Sequence, residues 1–526
     1  MVGAYGKDAR GIMALLCLLA TAPTWGASGP ETQEVRWTLR FSIFLDAGTG
    51  GTLREADFDS QGNVVVVGHG DFARAAFPQA MFFGRLDESN VIVAKFSAAE
   101  GKLLWVTLLG GVRQGGKDRG YGLRVGPDDS IYVAGRTSSA DFPTTAGAHD
   151  RSHNGGHSAA SSPHGPTDGF VLKLAPDGRT LMYSTFLGGS RDDGFRGGLA
   201  LDRQGCAYLC GTACSGDYLG ADPARVNGFL GGYSDATLTK LAPDGTHVLW
   251  SRFLGSSNDP TGEELPLGAR VGAEGNVYAI LDVWGSDAAT TPDAYDHTFN
   301  GGESDLYFVK VSADGRQLLY ASYFGGSGSE FAEHGLVVDA AGNACFAGAT
   351  SSPDFPVVNA TDAELGGTTD AFVAKLNAAG RPVFSTYIGG SGNEESVFGP
   401  ALDAKGNICL AGLTSSRDFP TTPAAYDRTY NGGERDAVVQ VYSPTGRLLT
   451  STFLGGAGTD YARFIAADRA GSIVVVGETD SRDFPTTPGA HATTFKGKSA
   501  VFVTKFSVST GKAETNQTNS IVGQTR

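Results

Sequence analysis

The chain has 526 residues, of which 41% are hydrophobic, 18% are charged and 76 are glycine, and its formal net charge is −15. The hydrophobic share supports a large core and excludes a disordered polymer. The acidic balance excludes a broad electrostatic footprint for nucleic acid or for an anionic membrane surface.

Residues 1–27 read as a secretory signal peptide. Lys7 and Arg10 precede an apolar run from Ile12 to Ala20, and small residues follow in Ala20-Thr21-Ala22 and Gly26-Ala27-Ser28. The run is too short to cross a bilayer as a helix, so no membrane insertion is expected after cleavage. A secreted, periplasmic or cell-surface location follows. Five cysteines remain beyond the signal: Cys206, Cys210, Cys214, Cys345 and Cys409. An odd number makes a poor disulfide framework, and we read them as buried thiols.

A strand-like segment, WTLRFSIFLD (37–46), comes next, and its relatives all lie later in the chain. Four segments then recur in fixed order. Segment A is GLALD (198–202) or GLVVD (335–339). Segment B is GNVVVVG (62–68), GNACFAG (342–348) or GSIVVVG (471–477). Segment C is NVIVAKF (90–96), DAFVAKL (370–376) or SAVFVTKF (499–506). Segment D, as in YSTFLGG, ends at Gly110, Gly188, Gly255, Gly325, Gly389 and Gly455, spaced 64 to 78 residues apart. Segments B and C occur seven times, and D follows C six times. The missing D is supplied from the front of the chain by residues 37–46. No helical pattern intervenes. This predicts an all-β, seven-bladed β-propeller of four-stranded antiparallel blades over 37–506, closed by pairing the N-terminal strand with the C-terminal ones. Residues 507–526 read as a loose polar tail. Turns such as DAAGN and APDG are short, whereas the B–C segments run to about twenty or thirty residues. The B–C and D–A loops leave the same face, which therefore carries the irregular sequence.

The loops repeat too. TSSRDFPTTPAAYDRTYNGGERDAVVQVY (414–442), TDSRDFPTTPGAHATTF (479–495), TSSADFPTTAGAHD (137–150) and TSSPDFP (350–356) are its best copies. The pattern resembles the SBBP family, seven-bladed β-propeller repeats of exported bacterial proteins. That resemblance implies export and a cell-surface or extracellular setting, and it supplies no catalytic residues. Blade 1 keeps only Phe-Pro in AAFPQA (75–80), blade 3 loses the motif in GDYLGADP (216–223), and blade 4 keeps TTPDAYDHTFNGGESD (290–305) without DFP.

Candidate site residues follow from the repeats. One acid recurs in each D–A loop: Asp118, Asp193, Glu263, Glu330, Glu394 and Asp460, with Glu55 as a looser match. Such a ring near the channel mouth either binds a hard cation such as Ca²⁺ or caps a loop once per blade. Repetition at every blade favours the structural role, and no cofactor is otherwise implied. Asp141-Phe142, Asp354-Phe355, Asp418-Phe419 and Asp483-Phe484 read as loop anchors, with the alternative of an aromatic platform for a sugar ring. His149, His153, His157 and His164 crowd the B–C loop of blade 2. His149, His153 and His157 align with Tyr426, Tyr430 and Glu434 of blade 6, so a transition-metal site is disfavoured. A catalytic site should break the sevenfold pattern, and blade 3 (Asp217, Tyr218, Asp222, Arg225) and blade 4 (Glu263, Glu264, Arg270) do so. G-x-S-x-G, H-E-x-x-H, Walker and C-x-x-C motifs are absent. The expectation is a monomeric, exported, non-enzymatic binding or scaffold module that engages protein or polysaccharide through its loop face. The alternative is an extracellular polysaccharide hydrolase or lyase with its site at the channel mouth.

Overall fold

Each blade is a ladder whose innermost strand, A, is short and carries a bulge. In the computed structural model these strands are Thr52–Phe58, Arg119–Val125, Asp193–Gly194 with Leu199–Leu201, Leu265–Val271, Glu330–Val338, Ser396–Leu402 and Asp460–Ala467. Each packs against the next, and the last packs against the first, so seven strands surround one axis. Outward from each run strands B, C and D, hydrogen-bonded in antiparallel order; in blade 2 these are Ile131–Thr137, Asp168–Leu174 and Leu181–Leu187. The structure describes residues 33–45, 51–72, 76–86, 89–112, 117–155, 166–258, 264–394, 396–489, 491–495 and 497–512. The signal-peptide reading, His157, His164 and Glu263 lie outside them. No helix among the described residues is long and apolar enough to cross a membrane.

The ring closes as the repeat count requires. Strand Gln33–Phe44 is the outer strand of blade 7, beside Ala500–Lys512. Leu45 N donates to Val501 O at 3.0 Å, and Ser42 Oγ meets Thr504 Oγ1 at 2.8 Å. The closing pair runs past Phe506, so residues 507–512 are strand rather than tail. Val35–Ser509 form one compact unit. Two local departures concern blades 1 and 5. Met81–Gly84 adds a fifth strand to blade 1, parallel to strand D. A single parallel bridge, Glu333 to Phe398, joins blades 5 and 6.

The core lies between blades. Valines and phenylalanines from facing sheets interdigitate, as where Val65, Val67, Val91 and Val93 of blade 1 meet Leu123, Val133 and Phe170 of blade 2. Each strand is covered on both faces, so its sequence is an unbroken apolar run. The second glycine of segment B has a steric cause. A Cβ on Gly348 would sit 2.1 Å from Phe331 O, because strand A bulges toward it. The five described cysteines are buried and unbridged.

Candidate functional site

The repeated acids hold the blades together at the start of strand A. Gly111 N donates to Asp118 Oδ2 at 2.8 Å, Gly189 N to Asp193 Oδ2 at 2.6 Å, and Gly326 N to Glu330 Oε2 at 3.1 Å. Glu394 and Asp460 receive Gly390 N at 3.1 Å and Gly456 N at 2.9 Å. Hydroxyls from the end of strand B complete each set: Ser215 to Asp193 at 2.7 Å, Ser352 and Thr350 to Glu330, and Ser481 to Asp460 at 2.9 Å. In blade 4 the acid is Glu264, one residue beyond the expected Glu263, and it accepts from Ser256 N at 2.9 Å. All six are buried. Glu55 does different work. It accepts from Leu123 N and pairs with Arg124 at 3.0 Å, in a network with Asp57 and Arg270 that links strands A of blades 1, 2 and 4.

A second acid, Asp168, Asp235, Asp305, Asp370 or Asp436, opens strand C beside five of the latch acids, and Asn90 stands there beside Asp118. A Cβ on Gly325 would lie 2.4 Å from Glu330 Oε2 and 2.5 Å from Asp305 Oδ1, and Gly389 has the same relation to Asp370 and Glu394. Burial raises these carboxyls, and the neighbouring acid raises several further: Asp168 to about 7, and Asp193, Glu264 and Asp305 to about 8. Asp118 and Asp460 rise to about 6, again through burial. Asp305 lies beside Glu330 and Asp235 beside Glu264, and each neighbour opposes a second negative charge, which favours a proton on one member. Chemically the pairs are proton-sharing latches. N–H and O–H donors take most of their oxygens, although Asp235, Asp305, Asp436 and Asp460 each keep a buried Oδ1 without a donor, whereas Ca²⁺ gathers six to eight free oxygens. Among the described residues no three His, Cys, Asp or Glu side chains converge as metal ligands.

The DFP segments anchor loops. Asp354 Oδ1 accepts from Ser327 N at 2.8 Å in the preceding blade, and Asp141, Asp418 and Asp483 do the same for Val112, Ser391 and Ala457. The following rings are buried: Phe142, Phe355 and Phe484 stack 4.5–4.6 Å from Phe170, Phe372 and Phe502, and Phe419 lies 6.0 Å from Phe453. They form no exposed sugar platform. Blade 3 keeps this device despite losing its letters: Asp217 accepts from Ser190 N at 3.0 Å, and Tyr218 lies 6.1 Å from Phe253. Asp287 does likewise for Ser257 in blade 4. Asp217, Tyr218 and Glu264, which the sequence marks as breaks in the pattern, therefore belong to it. Asp222 caps its own turn at Ala224 N, and Arg225 lies over Phe253. His153 meets Phe186 edge-on at 5.7 Å, as Tyr430 meets Phe453 at 6.1 Å, so it fills an aromatic position. His149 lines a cleft of about 410 Å³ between the loops of blades 2 and 3.

One cluster does break the sevenfold pattern, and sequence reading missed it. Strand A of blade 2 pairs Gly120 with Gly135 and then Gly122 with Ala134, so Tyr121 is skipped. Arg54 of blade 1 and Arg463 of blade 7 are skipped in the same way. A bulge re-aims its extra side chain, here at the loop-rich end of the axis. Around Tyr121 stand Arg119 of its own strand, Arg136 of strand B, Arg54 and His69 of blade 1. Arg136 Nη2 donates to Tyr121 Oη at 3.2 Å, and Arg119 Nη1 approaches the same oxygen at 3.4 Å. The Arg54 guanidinium lies 5.4 Å from the Tyr121 ring centroid, and the His69 ring also lies 5.4 Å away. Arg196, in the gap between the two short A strands of blade 3, adds its charge to Arg136. Among the described residues, Arg119 and Arg136 pair with no carboxylate, and Arg119 Nε is buried without an acceptor.

The electrostatics follow. Burial alone would raise the Tyr121 phenol, but Arg136, Arg119 and Arg54 outweigh it and bring it down to about 8. Burial, with Arg196 and Arg119, lowers Arg136 to about 10. Burial, with Arg54, Arg119 and Arg136, holds His69 well below its usual range, so it is neutral. Across the axis, strands A of blades 4 and 5 carry Leu265, Leu267 and Phe331, and Phe331 is 37% exposed.

No family model and no curated protein sequence matches the chain. Among solved structures, an ulvan lyase described as a new family of polysaccharide lyase shares 12% identity with it at a TM-score of 0.46, covering 84% of this chain and 93% of that one. A protein of unknown function from Dyadobacter fermentans shares 11% identity at a TM-score of 0.43, covering 90% and 99%. The quinohemoprotein alcohol dehydrogenase of Comamonas testosteroni shares 9% at 0.39, covering 93% and 79%. The chain itself is a seven-bladed β-propeller.

Proposed function

We propose that the protein binds an acidic polysaccharide at the loop-rich mouth of its axial channel. The observation that carries this is the unrepeated pair Arg119 and Arg136, two guanidiniums that share a phenol oxygen and pair with no carboxylate among the described residues. Such forks match the planar carboxylate or sulfate of a sugar acid. Phe331, exposed at the facing arc, offers an apolar ring to a sugar face. The SBBP-like loop repeats add the expectation of export, where acidic polysaccharides are met. Calorimetric titration of the mature chain with polygalacturonate, a sulfated galactan and neutral dextran tests the reading. Binding of an acidic polymer that weakens with salt and falls at least tenfold in Arg119→Gln is expected. Equal affinity for dextran, or no binding to either acidic polymer, would remove it; tight binding of acidic peptides alone would move the reading to a protein ligand.

A further inference from the structure

We infer that this mouth also cleaves its polysaccharide, by β-elimination at a uronic acid, with Tyr121 as the catalytic residue. The inference rests on the acidic-polysaccharide reading above and goes beyond it from binding to turnover. The cluster holds the parts that elimination needs: guanidiniums to take a uronate carboxylate, and a phenol oxygen placed between them.

The step balances without a cofactor or water. With the uronate carboxylate against Arg119 and Arg136, the Tyr121 phenolate takes the proton from C5, the carbon bearing that carboxylate. The electron pair of the C5–H bond passes into the carboxylate, whose developing second negative charge the two guanidiniums stabilise. It returns as a C4–C5 double bond while the C4–O4 bond breaks, and O4 leaves with the bonding pair. The phenol, still on the same face of the ring, gives its proton to O4 and is a phenolate again. One chain becomes two, with an unsaturated uronate at the new non-reducing end. Arg136, Arg119 and Arg54 lower the Tyr121 phenol enough that about a tenth is ionised at pH 7. The groups facing it are Arg54 and His69 of blade 1, Arg119 beside it, and Arg136. His69 is neutral and adds no opposing charge. The bulge takes Tyr121 out of the sheet ladder and into the arginine cluster, where 3% of its surface stays exposed.

The experiment incubates the mature chain with polygalacturonate, alginate and a glucuronate-containing polymer. It follows ultraviolet absorbance of the unsaturated uronate and the product masses, since elimination adds nothing and hydrolysis adds a water. Absorbance that grows with time, at a rate rising with pH to an inflection near 8, is expected. Tyr121→Phe keeps the ring and should lower kcat at least a hundredfold with a much smaller change in KM, whereas Arg119→Gln should raise KM as well. Binding of a polyuronate with no unsaturated product from any of the three overturns the inference and leaves the binding reading standing. Cleavage that adds water, or an unchanged rate in Tyr121→Phe, also overturns it. Absence of any binding removes both. If Tyr121→Phe does not fold, the pH profile of the native chain decides: a rate that is flat or falls between pH 6 and 9 overturns the inference.

Discussion

Replacing Asp168 with asparagine should flatten the pH dependence of stability. Asp168 opens strand C of blade 2, is fully buried against Gly188, and its charge acts on Asp193. Burial, opposed in part by the Asn154 and Gly155 amides, raises its carboxyl from 3.8 to about 7. The folded state therefore holds a proton that the unfolded state releases. Stability from this group is full below the unfolded value and is lost as pH rises through the folded one. Between pH 5 and pH 8 the loss is close to two units, or roughly 3 kcal/mol at 1.4 kcal/mol per unit. Nature has made the substitution once already: at the junction of blades 1 and 2 the equivalent position is Asn90, facing Asp118 across Gly110. Asp168→Asn keeps a single acceptor oxygen, so only one of the Asn154 and Gly155 amides, which go to Oδ2 and Oδ1 in the native chain, keeps its bond; that loss is the same at both pH values and cancels in the comparison. Urea denaturation of the native chain and the variant at pH 5 and pH 8 reads the effect. The native chain should lose about 3 kcal/mol more than the variant over that interval. Identical losses would show that the carboxyl pairs are not holding protons, and the latch chemistry described above would be wrong.

Other outcomes follow from the same geometry. Glu394→Ala strands Gly390 N and the hydroxyls of Thr414 and Ser416 in a buried junction; at about 1–3 kcal/mol for each buried group left unsatisfied, its melting temperature should drop by several degrees, and an unchanged melting curve contradicts the latch. Phe355→Ala removes a ring packed on Phe324, Phe372 and Tyr387 and should cost about 3–5 kcal/mol, whereas Asp354→Ala, at the exposed end of the same motif, should cost about 1 kcal/mol by chemical denaturation. Deleting residues 33–44 removes the outer strand of blade 7. The truncated chain should aggregate or pair with a second copy through its bare edge in sedimentation, and a stable monomer would speak against closure by the two chain ends.

The propeller was legible because every blade repeats its segments, and because the surplus strand at residues 37–46 had one place to go. The latch acids were legible by spacing, except where the loop of blade 4 shifts the acid from Glu263 to Glu264. Motif letters misled where chemistry was conserved without them. Asp217-Tyr218 and Asp287 tie the same loops as Asp-Phe-Pro, yet they read as irregularities. The channel-mouth cluster was hidden for a different reason. Its members lie one or two per strand, on bulges and strand ends of three blades, and a bulge is a register event between strands rather than a local sequence signal. Aligning the ends of segment B would have exposed part of it, since Arg136 and His69 stand there.

The central claim is that an acidic sugar sits against Arg119 and Arg136 over Tyr121. Crystals of Tyr121→Phe soaked with a short oligouronate test it most directly. The account predicts a uronate carboxylate within hydrogen-bonding distance of both guanidiniums, with its C5 facing the position of the missing hydroxyl. Sugar density confined to the outer loops or to the short-turn face would contradict it.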